Sequence, residues 1–388
     1  MFEKFNIDKR VLAALKDMNF TKATEIQNRV IPVAMQGNDL VAQSMTGSGK
    51  TAAFGIPMLH FIEPRRGVQV LILVPTRELA EQVGSEIKKF SKYTHMSVAK
   101  VYGGVGIEPQ IHALRTAEIV VGTPGRILDH MSRRTVNFSP VKILVLDEAD
   151  RMLDMGFIDD IRRIVNTLPR KRQTMLFSAT ISDDVMRIAR NYMNNPVRIT
   201  TTVRVPLHKL RQFYCDVPEE DKISLLLHLI KKEKPSLAII FSNTKRETDF
   251  VAQALEQNGV EAKAIHGDMT QQQRLYVMEG FHRGRPHILV ATDVAARGLD
   301  IKNVTHIFNY DVPNDADNYT HRIGRTARLG KEGKAITLLS KKDHESFRRI
   351  HRFLPDIEKM VEKDYPKVFV RRPQRHYGGR RHFGRRRY

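Results

Sequence analysis

Ten short apolar runs, dominated by valine, isoleucine and leucine, recur along this chain, separated by stretches of helical spacing. Five lie in the first half: Leu40–Ala42, Val70–Val74, Ile119–Val121, Ile143–Leu146 and Met175–Phe177. Five follow in the second: Leu237–Phe241, Ala264–Ile265, Ile288–Val290, His306–Phe308 and Ala335–Leu339. Runs this apolar suit strands covered on both faces, the signature of a parallel sheet between helices. Between the runs, Leu79, Val83, Ile87 and Phe90 recur at the spacing of one helix face. The expected fold is therefore α/β, one architecture used twice: two tandem domains, each a mostly parallel sheet flanked by helices. The pattern lapses near Thr200–Pro206, which sets the first lobe at 1–202, a linker at 203–207, the second lobe at 208–362 and a tail at 363–388.

Polar clusters follow the carboxyl ends of most runs. In the first lobe they are Thr46–Thr51, Pro75-Thr76-Arg77, Thr123–Arg126, Asp147–Asp150 and Ser178-Ala179-Thr180; in the second, Ser242–Thr244, His266-Gly267 and Thr292-Asp293. Open α/β sheets bind ligands along that edge. Polar residues placed only for solubility would be scattered over both edges.

The net charge of +21 points to a polyanionic partner, most simply nucleic acid. The tail alone holds two lysines and eight arginines against one aspartate, and the rest of the chain is still basic. A single cysteine, Cys215, excludes an internal disulfide and suits a reducing compartment. No apolar run approaches the roughly 18 residues of a membrane span, and the N-terminus lacks a signal-like stretch. A cytoplasmic protein without membrane contact is expected.

Three clusters point to nucleotide chemistry. Gly47, Ser48 and Gly49 can turn successive N–H groups toward phosphate oxygens at a helix N-terminus. Lys50 then reaches the terminal phosphates, and the Thr51 hydroxyl can ligate magnesium. The full phosphate-loop pattern has glycine where Ser44 stands, five residues before Gly49. Asp147 is placed to hold the metal and Glu148 to orient or deprotonate the attacking water. Taken alone, two such acids read sooner as helix capping residues, and the phosphate loop reverses that reading. Far downstream, His321, Arg325 and Arg328 fall within about 60° on a helix, if the helix runs that far. Guanidiniums suit the charge of a transferring phosphoryl group.

In order and content, these motifs resemble the DEAD-box ATP-dependent RNA helicase family from about Phe2 to Leu339. The resemblance implies two RecA-like domains, Mg2+ and ATP as cofactors, and local opening of duplex RNA without processive translocation. It implies that Phe20 stacks on adenine, that the Gln27 amide pairs with the base, and that Thr24 supports that loop. Without the family, Phe20 reads as core and Gln27 as surface. Two prolines and a glycine usual in that stretch are absent from Asn19–Gln27.

The resemblance assigns Ser44, Met45, Thr46, Gly47, Ser48, Gly49, Lys50 and Thr51 to the phosphates. It assigns Asp293 to the ribose, and Arg325 and Arg328 to the γ-phosphate beside His321. RNA is implied to contact Pro75, Thr76, Arg77, Gly103, Gly104, Thr123, Gly125 and Arg126 in the first lobe, and Thr292 and Arg297 in the second. Such contacts to phosphate do not read bases. Asp150, Ser178 and Thr180 are implied to couple nucleotide state to unwinding. Ala327 replaces the glycine usual before the last arginine.

The tail from Arg371 interleaves arginines with Tyr377, Phe383 and Tyr388, a composition that cannot bury a core and can hold single-stranded RNA by charge and stacking. The expected activity is an RNA-stimulated ATPase that remodels RNA duplexes or ribonucleoproteins, monomeric in its core. The alternative is an ATP-gated RNA clamp or annealing chaperone.

Overall fold

The computed structural model describes residues 2–44, 47–201, 210–296, 304–327 and 332–370. Its first sheet contains β1 (Leu40–Gln43), β2 (Val70–Leu73), β3 (Val98–Val101), β4 (Ile119–Gly122), β5 (Ile143–Leu146), β6 (Gln173–Ser178) and β7 (Val197–Thr200), in the order β3-β4-β2-β5-β6-β1-β7. The second contains β8 (Leu210–Asp216), β9 (Ala238–Phe241), β10 (Ala262–Ile265), β11 (Ile288–Ala291), β12 (His306–Asn309), β13 (Gly333–Leu339) and β14 (Glu358–Lys359), in the order β10-β11-β9-β12-β13-β8-β14. Counted from its own first strand, each sheet has the same order, and neighbouring strands pair in parallel. The chain does use one architecture twice.

Strand alternation divides each sheet between two cores. Val70 and Ile72 of β2 face one cluster, and Leu71 and Leu73 face the other. The helix Arg77–Phe90 buries Leu79, Val83, Ile87 and Phe90 against the first, each contributing roughly 1.5–3 kcal/mol. Its Thr76 N-cap accepts the Leu79 N–H at 3.3 Å, fixing where the helix begins beside the sheet's carboxyl edge.

The apolar-run pattern passes over four strands. β3 is only half covered, β7 buries Ile199 alone, β8 mixes buried and exposed positions, and β14 is two exposed residues. The expected linker at 203–207 and most of the tail lie outside the described residues. Residues 365–370, counted with the tail from sequence, pack onto the second lobe: Tyr365, Val368 and Val370 rest on its core, and the Val368 N–H donates to Ser224 Oγ at 3.0 Å.

Candidate nucleotide site and nucleic-acid cleft

The phosphate loop leaves β1 and enters the helix Lys50–Phe61 through two left-handed glycines, Gly47 (φ 85°) and Gly49 (φ 94°). A side chain on Gly49 would collide with Gln27, whose Nε2 lies 2.4 Å from the position of its Cβ. That amide donates to the Gly49 carbonyl at 3.1 Å, while its Oε1 accepts the Thr24 N–H at 2.9 Å. Gln27 is therefore buried, against its surface reading from pattern alone, and joins the Thr24 turn to the phosphate loop. Phe20 packs edge-on against Phe90 and near Phe2, half-buried at the rim of the core. Ser44, which replaces the usual glycine, bonds the Ser48 hydroxyl across the loop. Met45 and Thr46 lie outside the described residues.

Lys50 is buried with its ammonium between the Ser44 carbonyl (3.3 Å) and Asp147 Oδ1 (3.8 Å). Burial pushes the Asp147 carboxyl up to about 6, and the neighbouring Glu148 charge adds to this against the pull of Lys50. Glu148 takes a left-handed backbone (φ 52°) at the cap of the helix Ala149–Asp154, a conformation that costs about 1–2 kcal/mol in a residue with a Cβ. Strain of this kind tends to gather at functional positions. Burial raises its carboxyl too, yet Arg151, Lys50 and Arg325 together hold it below the usual carboxylate range. The Arg151 contact is direct, 2.9 Å and buried. Arg151 escaped the sequence reading, although its position three residues after Glu148 at a helix start was a legible signal.

The third acid of that run is tied to the next strand. Asp150 Oδ2 accepts from the Ala179 N–H (3.0 Å), the Thr180 N–H (2.8 Å) and Thr180 Oγ1 (3.1 Å). Its own N–H donates to Ser178 Oγ at 3.2 Å.

In the second lobe the expected helix through residue 328 is corrected. It spans Ala316–Ile323 and is capped at Gly324, and Thr326 then forms a bridge to Val304. Glycine and the strand-like partner end it. His321 and Arg325 nonetheless line one narrow cavity with Lys50, Glu148, Asp150 and Arg151 of the first lobe. Arg328 lies outside the described residues. Between them, Arg322 is fully buried and was not singled out from sequence. Its guanidinium grips both Asp293 oxygens (2.7 and 2.8 Å), Asn243 Oδ1 (2.9 Å) and the Asp311 carbonyl (2.6 Å). Asp293 is thereby fixed at the carboxyl end of β11.

A second space, about 510 Å³, opens between the lobes. Pro75, Thr76, Arg77, Gly103, Thr123, Gly125 and Arg126 line it, together with Gly267, Met269 and Arg274 from the second lobe. Gly104 (φ 80°) lies under the Arg77 guanidinium, where any Cβ would clash. Thr292 is buried after β11 and accepts the Ala295 N–H at 3.4 Å; it does not line this cleft. Arg297 lies outside the described residues. Glu78 lines the cleft beside Arg77, and Met155 and Phe157 line it without having been expected there.

Two family profiles match the chain: DEAD/DEAH box helicase over residues 24–188 and Helicase conserved C-terminal domain over 221–330. The ATP-dependent RNA helicase CshA of Listeria monocytogenes is 49% identical over 88% of this chain and 66% of its own length. The DEAD-box ATP-dependent RNA helicase CshA of Bacillus subtilis is 44% identical over 90% of this chain and 71% of its own. The chain thus spans about two thirds of those relatives. Among solved structures, S. cerevisiae Dbp5 bound to RNA and ADP BeF3 superposes with TM-score 0.84 at 33% identity, over 93% of this chain and 95% of that one. A DEAD box protein from Methanococcus jannaschii is more similar in sequence, 41%, yet superposes at only 0.55 over 92% and 98%.

Proposed function

The chain belongs to the DEAD-box family of ATP-dependent RNA helicases, and from that premise we propose that it is an RNA-stimulated ATPase that opens short RNA duplexes by closing two lobes on ATP and one strand. One observation supports this most strongly: Lys50 and Glu148 from the first lobe share a cavity with His321 and Arg325 from the second. Catalysis then depends on the lobes meeting. The chain also superposes better on the RNA-bound yeast protein than on the archaeal protein of higher identity.

Phe20, Thr24 and Gln27 hold the base side of the nucleotide, and the amides from Gly47 to Gly49 hold its phosphates. Lys50 neutralises the terminal phosphates. Glu148, kept ionised by Arg151, takes the proton of the attacking water. Arg325, with Arg328, stabilises charge on the phosphoryl group in flight. Asp293, set by Arg322, faces the ribose.

Magnesium fits this site. Asp147 offers a buried carboxylate and Thr51 a hydroxyl in the first turn of the helix Lys50–Phe61. Few protein ligands are what a magnesium ion held chiefly by phosphates and water requires. When bound, the ion neutralises the phosphate oxygens and orients them for in-line attack.

RNA phosphates lie along the first-lobe amides and Thr hydroxyls, with Arg77 and Arg126 supplying charge. Asp150, through Ser178 and Thr180, relays the state of the nucleotide to this cleft. The enzyme works as a cytoplasmic monomer; no described helix is long and apolar enough to cross a membrane. Strand displacement from a short RNA duplex tests the reading. ATP- and Lys50-dependent release of the strand is expected. ATP-dependent RNA retention without strand release would point instead to a clamp.

A further inference from the structure

We propose that His130 and Gln110 are positioning residues that lock the glycine loop 103–106 to the helix Pro124–Ser132, and so set the spacing of the first lobe's phosphate-binding amides. The inference rests on the reading of that cleft as the RNA track. Neither residue lines the cleft, and both are buried beneath it.

The bonding fixes their roles. Gln110, on the helix Glu108–Leu114, donates from Nε2 to the carbonyls of Tyr102 (3.0 Å), just before the loop, and Gly106 (3.4 Å), its last residue. Its Oε1 is then the acceptor toward His130 Nε2, 3.3 Å away, so that nitrogen bears the proton. His130 Nδ1 faces Thr135 Oγ1 at 2.7 Å, and that hydroxyl also lies 3.2 Å from the His130 carbonyl, so the ring is held at both nitrogens. Burial keeps its pKa below the ordinary value, with the Arg126 charge acting in the same direction.

Geometry makes this a brace. Arg126 stands one turn before His130 on the same helix, and its two terminal nitrogens both reach the Val105 carbonyl at 3.3 Å. The helix therefore grips the loop twice, from the cleft side through Arg126 and from below through His130 and Gln110. Such a loop needs holding: Gly103, Gly104 and Gly106 give it little stiffness of its own, and Gly104 must stay within contact of Arg77. If filling space were all that was required, apolar side chains would serve; a buried imidazole and amide are costly unless their hydrogen bonds do the orienting.

The test compares the affinity of the full chain for a labelled single-stranded RNA, with a non-hydrolysable ATP analogue present, across variants. Gln110→Met keeps the side chain's length and removes all its bonds. It should weaken RNA binding about tenfold, the loss of one or two oriented contacts, while nucleotide affinity without RNA stays at the wild-type value. His130→Leu leaves Gln110 on the loop and should lose about threefold; it is the variant to read if Gln110→Met does not fold. The double variant should lose no more than Gln110→Met, because the two act through one bond. Arg77→Ala and Arg126→Ala separate the two readings. Wild-type RNA affinity in both would overturn the cleft as an RNA track. Weakened binding in those two, with folded Gln110→Met and His130→Leu at wild-type affinity, would overturn the brace.

Discussion

Arg274, on the second-lobe helix Gln271–His282, stands 2.8 Å from Glu78, the second residue of the first-lobe helix Arg77–Phe90. Both side chains are mostly covered, and both line the cleft between the lobes. A partly buried pair of this kind contributes more than a surface one, so its loss should cost closure about 1–2 kcal/mol. Glu78→Gln keeps the shape and removes the charge. It should raise the RNA concentration for half-maximal ATP turnover about five- to thirtyfold, the same free energy as a ratio, and leave turnover at saturating RNA near wild type. An unchanged RNA requirement would mean that the pair does not bias the lobes.

The buried Lys50–Asp147–Glu148 group predicts two separable defects. Lys50→Ala removes the cation facing the phosphates and should weaken ATP binding itself. Glu148→Gln keeps size and burial while removing the base, so ATP should bind, turnover should stop and a closed RNA complex should accumulate. Equilibrium nucleotide binding beside single-turnover hydrolysis separates them. Equal losses of affinity in the two variants contradict the division of roles.

What could be read from sequence followed burial. Strands buried on both faces, such as Ile143–Leu146, announce themselves as unbroken apolar runs; edge strands such as Val197–Thr200 mix polar and apolar residues and do not. Site residues fixed by the local chain, such as Gly49 and Asp147, sit at a strand's end and were legible. Arg322 was not, because its partners Asn243, Asp293 and Asp311 come from three other segments and meet only in the folded sheet. The pairing of Arg274 with Glu78 was hidden for the same reason, being made only across the lobes. The expected helix through Arg328 failed at Gly324, where a backbone bridge from Thr326 to Val304 outweighs helical continuation.

The Asp147 carboxyl, raised to about 6 by burial, makes a pH prediction. Folding strengthens its hold on a proton, so its contribution to stability is full below the ordinary Asp value and is lost as pH rises through about 6. If Asp147 holds magnesium as proposed, function runs the other way, because only the carboxylate can bind the ion. The kcat/KM for ATP should therefore fall on the acid side of about 6. More magnesium should move that limb to lower pH, since metal and proton compete. A limb indifferent to magnesium would assign it to another group.

Arg322 and Arg325, three residues apart, should fail in different ways. Arg322 is enclosed by four polar partners, and Arg322→Met strands the Asp293 charge, at a cost of about 3–5 kcal/mol. A lowered Tm is the expected result. Arg325→Ala should leave Tm close to wild type and reduce RNA-stimulated turnover by about 10³ or more. Thermal unfolding and turnover, measured on both variants, give the comparison. A large Tm loss for Arg325→Ala would mark it as a structural residue rather than a group acting on phosphate.

The packing of Tyr365, Val368 and Val370 on the second lobe sets where the tail can be cut. Lys367 pairs with Asp221 and Val368 bonds Ser224, so a truncation before 370 would strip contacts from the fold as well as charge. A chain ending at Val370 removes eight arginines and no described contact. If those arginines hold RNA phosphates, binding releases counterions in proportion to the contacts made. The shortened chain should then bind single-stranded RNA more weakly at low salt and with a shallower salt dependence. Turnover at saturating RNA should persist, because Lys50, Glu148, Arg325 and Arg328 all remain. RNA affinity across a salt series, with turnover measured separately, distinguishes the outcomes. An unchanged salt slope would mean that the arginines stay solvated when RNA binds. Collapse of saturated turnover would mean that residues after 370 take part in closing the lobes.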